Sequence, residues 1–178
     1  MVISHSLRFS GAKLDNNFAI NLNQTKKVGN IHSSGSLQEK NLENVYFSEA
    51  SRIYLEEAVP RVKASFSNQL SLGKTIFYLR NTYFGKVTSP DIIDADGNGI
   101  VEPNEHQQIT PKIITDLSVA YQFTKNIGLT LGVNNLFDIY PTKNLTASTN
   151  NDQFIYSRST SQFGQNGRYL FSRLNFNF

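Results

Sequence analysis

The sequence predicts an all-β chain: an antiparallel up-and-down transmembrane β-barrel in partial form, with about seven strands and three long loops on one side. Three observations carry that expectation. Apolar and polar residues alternate with period 2 along most of the chain, tight connections alternate with long ones, and one strand face is apolar while the other is rich in Arg, Asn, Asp, Ser, Thr and Gln. Successive strand residues point to opposite sides of a sheet, so such alternation reads as one apolar face and one wet face.

The first strand sets Ile3, Leu7 and Phe9 against Ser4, Ser6 and Arg8. The second is read over Phe18–Asn23, and the third, Val62–Leu70, has the cleanest alternation. In the fourth, Phe77, Leu79, Tyr83 and Val87 oppose Tyr78, Arg80, Thr82 and Lys86. The fifth sets Leu117, Val119, Tyr121 and Phe123 against Asp116, Ser118, Ala120 and Gln122. In the sixth, Ile127, Leu129, Leu131, Val133 and Phe137 oppose Thr130, Asn134 and Asp138, and in the last Leu170, Leu174, Phe176 and Phe178 oppose Tyr169, Arg173, Asn175 and Asn177. A tilted strand needs roughly 9–11 residues to cross a bilayer, which these segments approach. Arg80, Lys86, Asp116, Asn134, Asp138 and Arg173 are expected to face the lumen, and Tyr83, Phe84, Phe123, Phe137, Tyr140 and Tyr169 to form interfacial girdles.

Connections near Gly11–Asn16, Leu72–Lys74 and Thr124–Asn126 are tight, whereas Val28–Ala58, Ser89–Pro111 and Pro141–Gly167 far exceed the usual loop of about 4–6 residues. In a meander every second connection lies on the same side, so all three long segments emerge together. Outer-membrane barrels share that asymmetry, with short periplasmic turns and long extracellular loops. The same alternation also suits a soluble β-sandwich with one solvated face, which stays open as the alternative.

Composition narrows the function. The 178 residues include 39% hydrophobic and 17% charged residues, and no run approaches the roughly 18 apolar residues of a membrane helix. The net charge of +3 comes from scattered Lys and Arg, so no nucleic-acid partner is expected. With no cysteine, thiol chemistry and thiolate metal sites are excluded. His5, His32 and His106 are scattered and expected at the surface, and no nucleophile elbow or metalloprotease motif occurs, so an enzyme is not expected. The first residues lack a secretory signal and start in mid-strand, which leads to the expectation of a piece of a longer chain.

Asp94–Glu105 fits the EF-hand loop formula at every required position. Asp94, Asp96 and Asn98 would offer side-chain oxygens, Ile100 its carbonyl, Glu102 a water-mediated contact and Glu105 a bidentate carboxylate, while Gly99 allows the sharp turn. Ca2+ is the expected ion, in a weak site that orders a loop; the plain reading is an acidic turn. In Phe47–Ala58, Arg52 and Glu56 form an i,i+4 pair on a possible short helix.

The segment Gly132–Pro141, containing Asn135-Leu136-Phe137-Asp138, and the final strand Gly167–Phe178 closely resemble the end of TonB-dependent outer-membrane receptors. Arg80–Val87 and Asp116–Tyr121 are similar to preceding strands of the same barrels. The resemblance implies that Asn135–Asp138 is the family's penultimate-strand motif and that Phe178 is the terminal aromatic read by the barrel-assembly machinery. It also implies a barrel of about 22 strands closed by a plug, of which residues 1–178 would be the carboxy-terminal portion. Location in the bacterial outer membrane, energisation through TonB by way of the plug, and uptake of a siderophore, corrinoid or glycan are implied in the same way. The partners implied are outer-membrane lipid, the plug, the remaining strands and a small-molecule or glycan ligand.

Overall fold

The computed structural model describes residues 1–24, 48–91, 94, 105–145 and 153–177. The strands are β1 (Val2–Phe9), β2 (Ala12–Leu22), β3 (Val62–Leu72), β4 (Thr75–Phe84), β5 (Val87–Thr88), β6 (Gln108–Ile109), β7 (Lys112–Gln122), β8 (Ile127–Asn134) and β9 (Tyr169–Phe176), with one helix, α1 (Glu49–Glu56). Seven strands form one antiparallel meander in the order β1-β2-β3-β4-β7-β8-β9, and β5 pairs with β6 apart from it. All seven predicted strands are thus present, and the short β5–β6 pair joins them.

Register places like with like. Leu7, Leu14, Leu70, Phe77, Val119 and Leu131 stand opposite one another across six strands. One residue along, Ser6, Asp15, Gln69, Tyr78 and Ser118 form a row on the other face. The apolar face is bare: Phe66, Phe77, Leu131 and Leu174 are 44%, 40%, 55% and 54% exposed. Among the described residues no second sheet covers it, as a sandwich would require. Leaving about half of each such side chain in water forfeits roughly 1 kcal/mol apiece.

Polar side chains interrupt this face at Asn81 and Thr115, which pair across β4 and β7 with Thr115 Oγ1 donating to Asn81 Oδ1 at 2.7 Å, at Ser172 on β9, and along one row of β1 to β3. His5, Asn16 and Asn68 lie in register on β1, β2 and β3, and Asn68 Nδ2 donates to Asn16 Oδ1 at 2.6 Å. Asn16 corrects an expectation. The first connection is only Ser10-Gly11, with Gly11 at φ 81, and β2 starts at Ala12; polar Asn16 on the apolar parity had masked the first half of the strand. At the second hairpin Gly73, at φ 55, turns the chain between Leu72 and Thr75.

The tight connections Ser10-Gly11, Gly73-Lys74 and Phe123–Asn126 lie at one end of the sheet and the three long ones at the other. Buried apolar residues gather at the long-loop end: Ile53, Ala58, Val87 and Ile109 in the loops, Phe84 and Ile114 on the adjoining strands. Phe84 is therefore not a girdle residue; it faces away from the apolar side and packs on Phe163 at 5.5 Å between centroids. Tyr169 is on the polar parity opposite Asn134, and Tyr140 stacks on Tyr156 in a loop. Lys86 and Asp138 lie beyond the ends of β4 and β8, so neither is a strand residue facing a lumen, whereas Arg80, Asp116, Asn134 and Arg173 share the polar face.

Candidate functional site: an interlocked loop cap

The first long connection carries α1. Ser48 caps it, its hydroxyl accepting the Ser51 N–H at 3.3 Å, and Glu49 sits in the first turn, where a carboxylate favours the helix dipole. Arg52 ties the helix surface together. Its Nε donates to Glu49 at 2.9 Å and Nη1 to Glu56 at 3.0 Å, so the predicted i,i+4 pair is present on a real helix. The Glu49 carboxylate, then that of Glu56, raises the guanidinium pKa against the opposing pull of burial. Ile53, one turn on from Glu49, is fully buried, and Glu56 is buried with it.

Polar side chains stitch the second and third connections to this one. Thr88 donates its N–H to Glu57 O at 3.1 Å and its hydroxyl to the Glu57 carboxylate at 2.6 Å. Thr160 Oγ1 donates to Ala58 O at 2.7 Å, and Gln162 donates to Gly85 O. The Gln107 amide spans two loops, giving an N–H to Lys143 O at 2.9 Å and accepting the Leu145 N–H at 3.2 Å. His106 is packed inside, with Nε2 3.8 Å from Glu49 Oε1, rather than at the surface as expected.

A carboxylate surrounded by hydroxyls forms the centre of the lacing. Ser157 donates to Asp91 at 2.7 Å, Ser159 donates to its other oxygen, and Ser89 lies 3.2 Å from the first. Burial pushes the Asp91 carboxyl up, but the hydroxyls of Ser159, Ser157 and Ser89, helped by nearby Arg158, outweigh it and hold the pKa below the ordinary value. Nothing local in the sequence announces this cluster, because Asp91 and its serine donors are up to 68 residues apart.

The Asn135–Asp138 motif closes the third loop onto the sheet. It lies just past β8 as a turn, not within the strand as the resemblance implied. Asn135 and Asp138 have φ of 53° and 56°, a region Asn and Asp tolerate better than most residues. Asn135 exchanges two hydrogen bonds with Ile139, at 2.7 and 2.9 Å, while Leu136 N–H reaches Thr115 O at 2.7 Å. Asp138 then accepts the Arg168 N–H at 2.7 Å at the entry to β9. A Cβ on Gly167, at φ 68°, would meet the Tyr140 hydroxyl at 2.3 Å and Asp138 at 2.6 Å, so glycine is required there. Phe178, the expected assembly signal, lies outside the described residues.

Of the expected calcium ligands, Asp94 and Glu105 are described and Glu105 is buried. Asp96, Asn98, Ile100 and Glu102 lie outside the described residues, as does His32.

Among the described residues, a cavity lies beside the cap on each side of the sheet. On the polar side of the sheet a cavity of about 300 Å³ is lined by Asn21, Lys63, Phe84, Val59 and Gln162, with Lys63 Nζ 4.8 Å from the Phe84 ring centre. Gln162 Oε1 is buried with no hydrogen-bond partner. Toward the other side a cleft of about 360 Å³ includes Val62, Tyr83, Arg61 and Lys86.

No protein-family model matches the sequence, and no curated protein does. The fold has clear counterparts. A variant of the ferric enterobactin receptor PfeA of Pseudomonas aeruginosa matches at 20% identity and TM-score 0.55, and a PfeA variant in complex with enterobactin at 18% and 0.58. P. aeruginosa FpvA bound to heterologous pyoverdines matches at 14% and 0.51. Each match covers 99% of this chain, but only 22% of the PfeA chains and 19% of FpvA, so the chain spans about a fifth of these receptors' length. The sheet has the fold of a segment of their barrel wall, not closed within this chain.

Proposed function

We propose that this chain is the carboxy-terminal part of a TonB-dependent outer-membrane receptor for nutrient uptake, contributing barrel wall and ligand-capturing outer loops. The observation that carries this reading is the combination of one bare apolar face with three interlocked loops at a single end of the sheet, on a fold shared with siderophore-binding receptors. In this reading the apolar face meets outer-membrane lipid and the polar face lines the lumen. β1 and β9 pair with strands supplied by the rest of the barrel, because an unsatisfied edge in hydrocarbon costs several kcal/mol per group. A plug, contact with TonB and insertion by the barrel-assembly machinery belong to the same reading, and none of these roles is catalytic.

A small ligand from the siderophore, corrinoid or glycan classes is captured at the loop end. The cavity bearing Lys63, Asn21 and the unpartnered Gln162 carbonyl supports an anionic, hydrogen-bonding ligand such as a ferric siderophore. Calcium binding by Asp94–Glu105 is part of the proposal too, supported by the filled motif.

The test is uptake of labelled ferric siderophores by source cells carrying Lys63→Ala in the full receptor. Weaker binding with unchanged receptor level supports the reading; a full receptor that binds no member of the three ligand classes contradicts it. For calcium, terbium luminescence from the receptor should disappear in Asp94→Ala/Glu105→Ala, and luminescence that is absent from the unmodified receptor or survives the substitutions contradicts the site.

A further inference from the structure

We propose that the cleft lined by Arg61 and Lys86 binds the phosphate of an anionic lipid headgroup in the outer leaflet, an inference that rests on the membrane reading above. The cleft is placed where a headgroup would be. Val62 and Tyr83 are the residues of β3 and β4 nearest the loop end that share the apolar face with Leu70 and Phe77, so the cleft adjoins the upper limit of that face. Aromatic residues such as Tyr83, 37% exposed, favour this boundary between hydrocarbon and water.

The chemistry of the walls selects the occupant. Among the described residues, the Arg61 guanidinium and the Lys86 ammonium have no ion pair or side-chain hydrogen bond. Glu57 also lines the cleft, but its carboxylate accepts the Thr88 hydroxyl at 2.6 Å and lies 4.0 Å from Arg52. Two uncommitted cations beside an apolar wall suit a phosphate that carries acyl chains, with the Arg fork able to hold two oxygens.

The backbone holds both cations in place. Gly85 N–H donates to Val62 O at 2.9 Å, and a Cβ at Gly85 would come 2.8 Å from that oxygen, so glycine lets the chain carrying Lys86 close onto β3. Gln162 caps the Gly85 carbonyl from the third loop, and Arg61 O accepts the Asn23 N–H at 2.8 Å. The siderophore-type cavity lies on the opposite face of the sheet, at Lys63 and Phe84, so the two sites are separate.

The experiment is native mass spectrometry of the full receptor in neutral detergent, titrated separately with dioleoyl phosphatidic acid, dioleoyl phosphatidylcholine and inorganic phosphate. Phosphatidic acid should bind about tenfold more tightly than phosphatidylcholine, and Arg61→Ala/Lys86→Ala should remove that preference. The charge-conserving Arg61→Lys/Lys86→Arg should keep it. Equal binding of the two lipids, or an unchanged preference in the alanine variant, overturns the proposal. Inorganic phosphate displacing phosphatidic acid at equal concentration assigns the cleft to free anions and overturns the lipid source. Heat-modifiable migration of each variant on gels reports the folded barrel; a receptor lacking it and found outside the membrane fraction contradicts the membrane reading itself, separately from the lipid site.

Discussion

Arg80 on β4 and Asp116 on β7 stand directly opposite each other on the polar face, with Nη2 2.7 Å from Oδ2, while the other Asp116 oxygen accepts the Asn135 N–H at 3.0 Å. One carboxylate therefore joins a cross-strand ion pair to the turn that starts the third loop. Asp116 is buried and Arg80 half-exposed, so the two partners carry unequal weight. Asp116→Ala should destabilise the barrel by about 1–3 kcal/mol, because the Asn135 N–H loses its acceptor, and Arg80→Ala by less. Urea titration of the folded, heat-modifiable form checks the order; a larger loss in Arg80→Ala would contradict it.

One hydrogen bond, from Asn68 Nδ2 to Asn16 Oδ1, joins these two side chains on the apolar face. In lipid, Asn68→Leu alone should cost about 1–3 kcal/mol by stranding the Asn16 amide, whereas Asn16→Leu/Asn68→Leu should be near neutral or stabilising. Comparison of the double variant with the two single variants decides it. Additive losses would mean that the face is wet.

Gly132 leaves room for a ring on the polar face. A Cβ there would fall 2.3 Å from Phe171 and 2.9 Å from the Ser118 Cβ. Gly132→Val should cost about 1–3 kcal/mol through overpacking, and Phe171→Ala in the same chain should recover part of it. Thermal unfolding of single and double variants measures the recovery.

The Asp91 latch gives the loops a pH dependence of definite sign. Its folded-state pKa is lowered, so its contribution is fully present above the unfolded value of about 3.9 and is lost as pH falls through the folded value. Amide exchange at Ser157–Thr160 should stay slow at neutral and mildly acidic pH and accelerate only below about pH 4. Asp91→Asn should exchange faster at neutral pH and lose that acid step. An acid step unchanged in the variant would assign it to another group.

The seven long strands are legible because apolar residues recur on one parity along most of each strand, the pattern of a sheet whose two faces meet different surroundings. Legibility fails where other physics takes over. Asn16 breaks the apolar parity because Asn68 supplies its partner, and two-residue strands such as Val87–Thr88 are too short to show a period. Lys86 and Asp138 keep the parity of the strands they follow, yet the chain has left the sheet at Gly85 and at Asn135. Helix α1 is foreshadowed by Arg52 and Glu56, but the lacing among Asp91, Ser157, Thr160 and Gln162 joins loops far apart in sequence, which no local pattern encodes.

The central claim is that one face of the sheet meets lipid and the other the lumen. Spin labels placed singly at residues 117–121 of β7 in the membrane-embedded receptor test it directly, since this stretch of the chain contains no native cysteine. The account predicts high oxygen and low nickel-chelate accessibility at Leu117→Cys, Val119→Cys and Tyr121→Cys, and the reverse at Ser118→Cys and Ala120→Cys. Chelate accessibility without alternation, or with the two sets exchanged, would contradict it.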